Sequence, residues 1–196
     1  MHRRRYAEFY GYDYVEFTDK IVKTDPPKWN KFAAIKAVMP NYDWVFWQDS
    51  DSMVVNFGRP LEAFMEPAPE CTGLLLGCEK QGGSRRRYHD GDMLIRNSEV
   101  MTTAFALAEK DKKAKAKDLD MVALERVFAS PEYSPYRFAF PYGVFAARAR
   151  ISHKYAFIAH AYREKDRGSK KDILTRWGKQ AAKSYRFWSE VRKYGR

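Results

Sequence analysis

The chain has 196 residues, 45% of them hydrophobic and 16% aromatic, with a formal net charge of +11. That share of core-forming side chains excludes a disordered chain and suits a single globular domain. No apolar run is long enough to span a bilayer and no secretory leader opens the sequence, so membrane attachment is expected only through a segment outside these residues.

The positive balance favours an anionic partner, with phosphate the first candidate. From Arg148 onward Lys and Arg greatly outnumber the acids Glu164, Asp166, Asp172 and Glu190. Such a tail reads as a solvated helix face, a membrane-surface or polyanion contact, or a nucleic-acid site. Cys71 and Cys78 flank the run Thr72-Gly73-Leu74-Leu75-Leu76-Gly77. On a strand their odd separation puts the thiols on opposite faces, so no disulfide joins them and the redox compartment is not readable.

In chain order, His2 to Tyr10 reads as the end of a helix, stopped by Gly11 at the capping position. Tyr12 to Phe17 alternates in the manner of a strand. Thr24-Asp25-Pro26-Pro27 is a turn and helix entry, and helical spacing from Trp29 to Met39 ends at Pro40. Trp44-Val45-Phe46-Trp47 is a continuous apolar run, the pattern of a strand buried on both faces in a parallel sheet. Gly73 to Cys78 and Met93-Leu94-Ile95 are two further strands. Val100 to Phe128 is helical, broken by the lysine-rich stretch from Lys110 to Lys117. Tyr155 to Ala161 is a late strand, and Asp172 to Tyr194 a final amphipathic helix. Helices alternating with buried strands predict an α/β layered sheet.

The strand at Trp44 opens onto Gln48-Asp49-Ser50-Asp51. Side chains two apart on a strand share a face, so Asp49 and Asp51 are expected to project together from the strand's carboxyl end. Open α/β sheets bind ligands there. Two neighbouring carboxylates repel unless a cation shares them, and oxygen ligands suit Mg²⁺ or Mn²⁺ bridging to a diphosphate. Two chemistries use an apolar strand followed by Asp-x-Asp: nucleotide-sugar transfer, and phosphatases of the haloacid-dehalogenase type, in which Asp49 would attack phosphorus. The second wants Thr or Val where Met53 stands, and a later acid pair that Gly91-Asp92-Met93-Leu94-Ile95-Arg96 does not supply. A third reading is a non-enzymatic basic module for polyanions, drawing on Arg85-Arg86-Arg87-Tyr88 and the tail lysines.

Four ordered blocks carry a family resemblance. They are Tyr6-Ala7 with Tyr10-Gly11-Tyr12-Asp13, then Trp29-x-Lys31 with Ile35-Lys36 and Met39. The third is Trp44-Val45-Phe46-Trp47-Gln48-Asp49-Ser50-Asp51-Ser52, and the fourth Gly91-x-x-Leu94-Ile95-Arg96-Asn97-Ser98. Together they resemble glycosyltransferase family 34, which includes galactosyl-, mannosyl- and xylosyltransferases. The resemblance runs from about residue 3 to about residue 165.

It implies a GT-A (Rossmann-like) fold, a mixed, mostly parallel sheet flanked by helices. Its first strand is expected to be missing, since the chain begins inside the following helix. The transferase domain is expected over residues 1–170, with a basic helix over 171–196. The resemblance further implies Asp49, Asp51 and His160 as metal ligands for Mn²⁺ (or Mg²⁺), the imidazole favouring Mn²⁺. Lys165 and Arg163 would meet donor phosphate, Arg163 standing where the family carries Gly. Asp120 falls where the family places acids near the reacting carbon, with Met121 in place of a Gln, and Asp92 would meet acceptor hydroxyls. If the enzyme inverts, Asp92 or Asp120 would serve as base. The implied partners are a nucleotide-sugar donor and an oligosaccharide, glycoprotein or polysaccharide acceptor, with no nucleic acid. The implied location is the luminal side of the Golgi membrane.

Overall fold

The computed structural model describes residues 2–23, 25–78, 88–111, 114–115, 119–148, 156–160 and 170–194. The chain is α/β. Helix α1 spans His2–Tyr10 and ends at Gly11, whose φ of +78° is the left-handed conformation that glycine adopts without strain. A 3₁₀ turn at Pro27–Trp29 leads into α2, Asn30–Val38, and a second at Met39–Asn41 closes it. Strand β1 is Trp44–Gln48, β2 is Ser52–Val54, and α3 is the single turn Glu62–Met65. Strands β3, Leu74–Cys78, and β4, Tyr88–Arg96, precede α4, Glu99–Glu109. The Ser98 hydroxyl caps α4 by accepting from the Met101 amide. The remaining elements are α5 (Asp120–Val127), β5 (Arg137–Phe140), β6 (Ala146–Arg148), β7 (Ile158–His160) and α6 (Lys170–Tyr194).

The main sheet has the order β1-β4-β3-β5. Strand β4 is antiparallel to β1 and β3, while β5 is parallel to β3, so three strands run one way and β4 the other. A smaller sheet, β2-β7-β6, stands beside it. Period-2 alternation divides the core: Leu74, Leu76, Met93 and Ile95 face α2, α4 and α5 and pack on Phe32 and Phe105. Their neighbours Leu75 and Leu94 face the other way, into an aromatic core of Tyr6, Phe57, Phe64, Phe145 and Phe157. Full burial of such a side chain contributes about 1.5–3 kcal/mol, so the two-faced sheet is the main stabilising unit. Helix α6 joins the second core through Ala181, Tyr185 and Trp188.

Two expectations change. Tyr12 to Phe17 forms no strand; Val15 and Phe17 are exposed, and the segment lines a cavity instead of pairing with a sheet edge. Strand β1 is not buried on both faces: it is the edge strand among those described, all five of its residues are half-buried, and they line the same cavity. Cys71 and Cys78 are not joined in a disulfide.

Candidate active site

The two aspartates after β1 meet by a turn and not by strand alternation. Strand β1 stops at Gln48, and the Ser52 amide donates back to the Asp49 carbonyl at 3.1 Å. Arg3, from α1, donates to that same carbonyl and to the Ser52 carbonyl at 2.9 Å, which clamps both ends of the turn. Asp49 keeps its ladder position through its amide, which donates to the Gly91 carbonyl at 2.7 Å. Its Oδ1 accepts from the Trp47 indole at 2.8 Å.

Strand β2 then brings the late histidine to this turn, because Ser52 and His160 are register partners across β2 and β7. His160 Nε2 lies 2.8 Å from Asp51 Oδ1. One ligand atom each from Asp49, Asp51 and His160 lie within 4.8 Å of one another. Two carboxylate oxygens and an imidazole nitrogen at this spacing fit a single divalent ion of the Mn²⁺ or Mg²⁺ class.

The titration of these groups reflects how closely the carboxylates are gathered. Burial raises the Asp49 carboxyl to about 6, aided by Asp90 and Asp92 and opposed by Lys31 and the Trp47 indole. Burial alone would pull His160 down, but the carboxylates of Asp51 and Asp92 on its two sides push it up to about 10. His160 is thus a cation in the metal-free fold and must shed a proton to serve as a ligand.

Beneath them Asp92 has no exposed surface, so it is away from any acceptor hydroxyl. Its Oδ1 accepts from the Ser52 hydroxyl at 2.6 Å, and its Oδ2 lies 3.5 Å from His160 Nδ1. Gly91 makes this packing feasible: a Cβ there would sit 2.5 Å from His160 Cε1, 2.6 Å from His89 Cε1 and 3.0 Å from Asp49 Oδ2. The register between β3 and β4 slips at this point, pairing Leu76 with Met93 but Gly77 with His89. The shift leaves Asp90, Gly91 and Asp92 without register partners on β3, while Asp92 still pairs with Gln48 on β1, an irregularity of the kind found beside active sites.

Asp120, at the start of α5, is brought to the same region through Lys31. The ammonium of Lys31, 5% exposed, is 2.8 Å from Asp120 Oδ2, 2.9 Å from Asp90 Oδ2 and 3.8 Å from Asp49 Oδ1. Burial would lower Lys31, yet Asp90, Asp49 and Asp120 raise it and keep it charged. Burial likewise raises Asp120 against the pull of Lys31. Sequence reasoning assigned no role to Lys31, Asp90 or His89. The signal for Lys31 was its place in the Trp29-x-Lys31 block, and for the other two their adjacency to Gly91 and Asp92. Lys165, Arg163 and the Arg85-Arg86-Arg87 cluster lie outside the described residues.

Lys31, Asp49, Asp51, Asp90, Asp120 and His160 border a cavity of about 1190 Å³, whose wall also includes Tyr12 to Ile21. A model of the galactosyl transferase GMA12/MNN10 family matches residues 1–104, just over half of the chain. The chain belongs to that family. Among solved structures it is similar to a glycosyltransferase involved in the glycosylation of the major capsid of PBCV-1. That likeness has a TM-score of 0.68 at 12% identity, over 90% of this chain and 88% of the other, and it bears on the fold. No curated protein matches the chain.

The protein is therefore a glycosyltransferase, and the phosphatase reading of Asp49 and the polyanion-module reading give way to it. The matched residues 1–104 include Lys31, Asp49, Asp51 and Asp92; Asp120 and His160 lie beyond them. For this glycosyltransferase, β7 and α5 complete a cluster that the matched segment begins.

Proposed function

We propose that this glycosyltransferase is metal-dependent and moves one hexose or pentose from a nucleoside-diphosphate donor, UDP- or GDP-linked, to a glycan hydroxyl. The acceptor class is an oligosaccharide, glycoprotein or polysaccharide, and the setting the Golgi lumen. The observation that carries this reading is the convergence of Asp49, Asp51 and His160 on one point of the cavity wall. A divalent ion there, Mn²⁺ ahead of Mg²⁺ because of the imidazole nitrogen, would supply positive charge to the departing diphosphate.

The chain's own residues do the rest. Arg3 and Trp47 hold the Asp49 turn rigid, so that the ligand oxygens are aimed before anything binds. Lys165 and Arg163 are assigned to diphosphate oxygens, where cations favour the charge that grows as the sugar leaves. Asp120, held by Lys31 at the cavity, is assigned to the sugar side. Asp92, without surface open to a substrate, orients His160 instead. Retention of configuration is the outcome the family resemblance implies, by front-face attack in which the departing phosphate takes the acceptor's proton.

The test is a thermal-shift panel of UDP- and GDP-sugars with and without Mn²⁺, followed by hydrolysis of whichever donor binds. Stabilisation that requires Mn²⁺, and Mn²⁺-dependent hydrolysis that Asp49→Asn abolishes with the fold retained, are expected. Donor turnover unaffected by chelator or by Asp49→Asn overturns the proposal.

A further inference from the structure

Directly behind the Asp49–Asp51–His160 cluster lies another set of ligating atoms. One each from His89, Asp92 and His160 also lie within 4.8 Å of one another. Asp92 Oδ2 is 3.5 Å from His160 Nδ1 and 3.7 Å from His89 Nδ1. These separations exceed the N–H···O range of about 2.7–3.2 Å. They come close to the roughly 3.3–3.4 Å between neighbouring donors when bonds of about 2.0–2.1 Å radiate tetrahedrally from one ion.

Three further observations point at an ion. Asp92 is fully buried, and its Oδ2 makes no hydrogen bond. A buried carboxylate oxygen met only at 3.5–3.7 Å by imidazole nitrogens is loosely compensated, and a bound ion would meet it at closer range. The outward atoms of two ligands are already held: Ser52 donates to Asp92 Oδ1 at 2.6 Å, and His160 Nε2 faces Asp51 Oδ1 at 2.8 Å. Metal ligands are oriented in this way by partners on their far atoms. Finally, the space over Gly91 that lets the two imidazoles converge would be filled by any side chain there.

We propose that His89, His160 and Asp92 form a second cation site, suited to a nitrogen-preferring transition ion such as Zn²⁺, and alternative to the site at Asp49 and Asp51. Two imidazoles and one carboxylate select such an ion, whereas the oxygen-rich set selects Mn²⁺ or Mg²⁺. The sites exclude one another because they share His160. Ligation through Nδ1 leaves the ring proton on Nε2, donated to Asp51; ligation through Nε2 leaves it on Nδ1, facing Asp92. Zn²⁺ at the inner site therefore withdraws His160 from the outer one. Where the outer site works as proposed above, on which this consequence rests, Zn²⁺ is an inhibitor that Mn²⁺ relieves.

The experiment titrates Zn²⁺ into the chelator-stripped full chain against a chromophoric zinc chelator, without donor, and reads the ligand set by X-ray absorption. One Zn²⁺ per chain with two imidazole ligands is expected. His89→Gln should weaken Zn²⁺ binding at least tenfold and leave Mn²⁺ binding, followed by the electron spin resonance of free Mn²⁺, within twofold. Zn²⁺ should weaken apparent Mn²⁺ binding in proportion to its concentration and without a plateau, and Mn²⁺ should weaken Zn²⁺ binding in the same way, as mutually exclusive sites require. Thermal unfolding of His89→Gln separates a lost ligand from a lost fold, and the absorption spectrum of the wild-type chain stands without any variant. No Zn²⁺ binding, equal binding by wild type and His89→Gln, or a spectrum with a single imidazole overturns the inner site. Loss of Mn²⁺-dependent donor turnover with the inner site intact counts against the proposed function alone.

Discussion

The Lys31 ammonium lies 2.8 Å from the Asp120 carboxylate, so α2 and α5 are joined at the cavity by an ion pair that is almost wholly buried. Asp90 completes it at 2.9 Å. Removing one partner from such a cluster leaves uncompensated buried charge, at a cost of about 3–5 kcal/mol. Lys31→Met is expected to destabilise the chain by that order in urea unfolding, with an unchanged slope against denaturant. Adding Asp120→Asn to it should recover part of the loss, because one stranded carboxylate is then neutral. Equal stability of wild type and Lys31→Met would show that the carboxylates simply take up protons.

Gly91 carries a prediction about metal and not about folding. Its φ is outside the left-handed region, so alanine meets no backbone penalty. The added methyl instead collides with both imidazoles and crowds Asp49 Oδ2. Overpacking of this kind costs about 1–3 kcal/mol. Gly91→Ala should lower Mn²⁺ affinity about 10–100-fold, the range found when the orientation of a ligand is disturbed. Calorimetric titration checks it, with serine expected to behave like alanine.

Much of this site was legible in the sequence for a local reason. The run Trp44 to Trp47, made of aromatic and β-branched residues, forms a strand, and Gly11 ends α1 by its own conformational freedom. Asp49 and Asp51 could be read as a pair because both lie within one turn of a strand end. What escaped was decided by tertiary packing. Alternation in Tyr12 to Phe17 suggests a strand, but a strand needs an edge to pair with, and this segment borders the cavity. The partners of Lys31 come from β4 and α5, and no spacing rule links them. Asp92 looked open to substrate because the groups that cover it, Ser52 and His160, arrive from β2 and β7, which no local pattern places over β4.

Arg3 tests how far the site depends on pre-organisation. It spans from α1 to two carbonyls of the Asp49 turn and touches neither proposed metal ligand oxygen. Arg3→Met keeps much of the aliphatic stem and removes both donors. Hydrogen bonds to a charged donor contribute about 1.5–3 kcal/mol. The variant should retain the fold, lose up to that much stability, and bind Mn²⁺ more weakly because the turn is looser. Unchanged Mn²⁺ affinity in a measurably less stable variant would make Arg3 a brace of the fold alone.

Stability should depend on pH in opposite senses with and without metal. His160 is raised from an unfolded value of 6.5 to about 10 in the fold. A raised histidine stabilises fully below pH 6.5 and loses that contribution as pH climbs toward 10. Asp49, raised from 3.8 to about 6, adds a loss of the same sign at lower pH, because its charged form is disfavoured in the fold. In chelator the unfolding midpoint is therefore expected to fall as pH rises from 6.5 to 10. With Mn²⁺ the trend should reverse between pH 5 and 8, because the ligands must shed protons to bind the ion. His160→Gln should flatten the chelator curve above pH 6.5 while leaving the lower limb, which belongs to Asp49, in place. A chelator curve identical in wild type and His160→Gln would mean that the imidazole is neutral in the fold, and that Asp51 and Asp92 do not hold its proton.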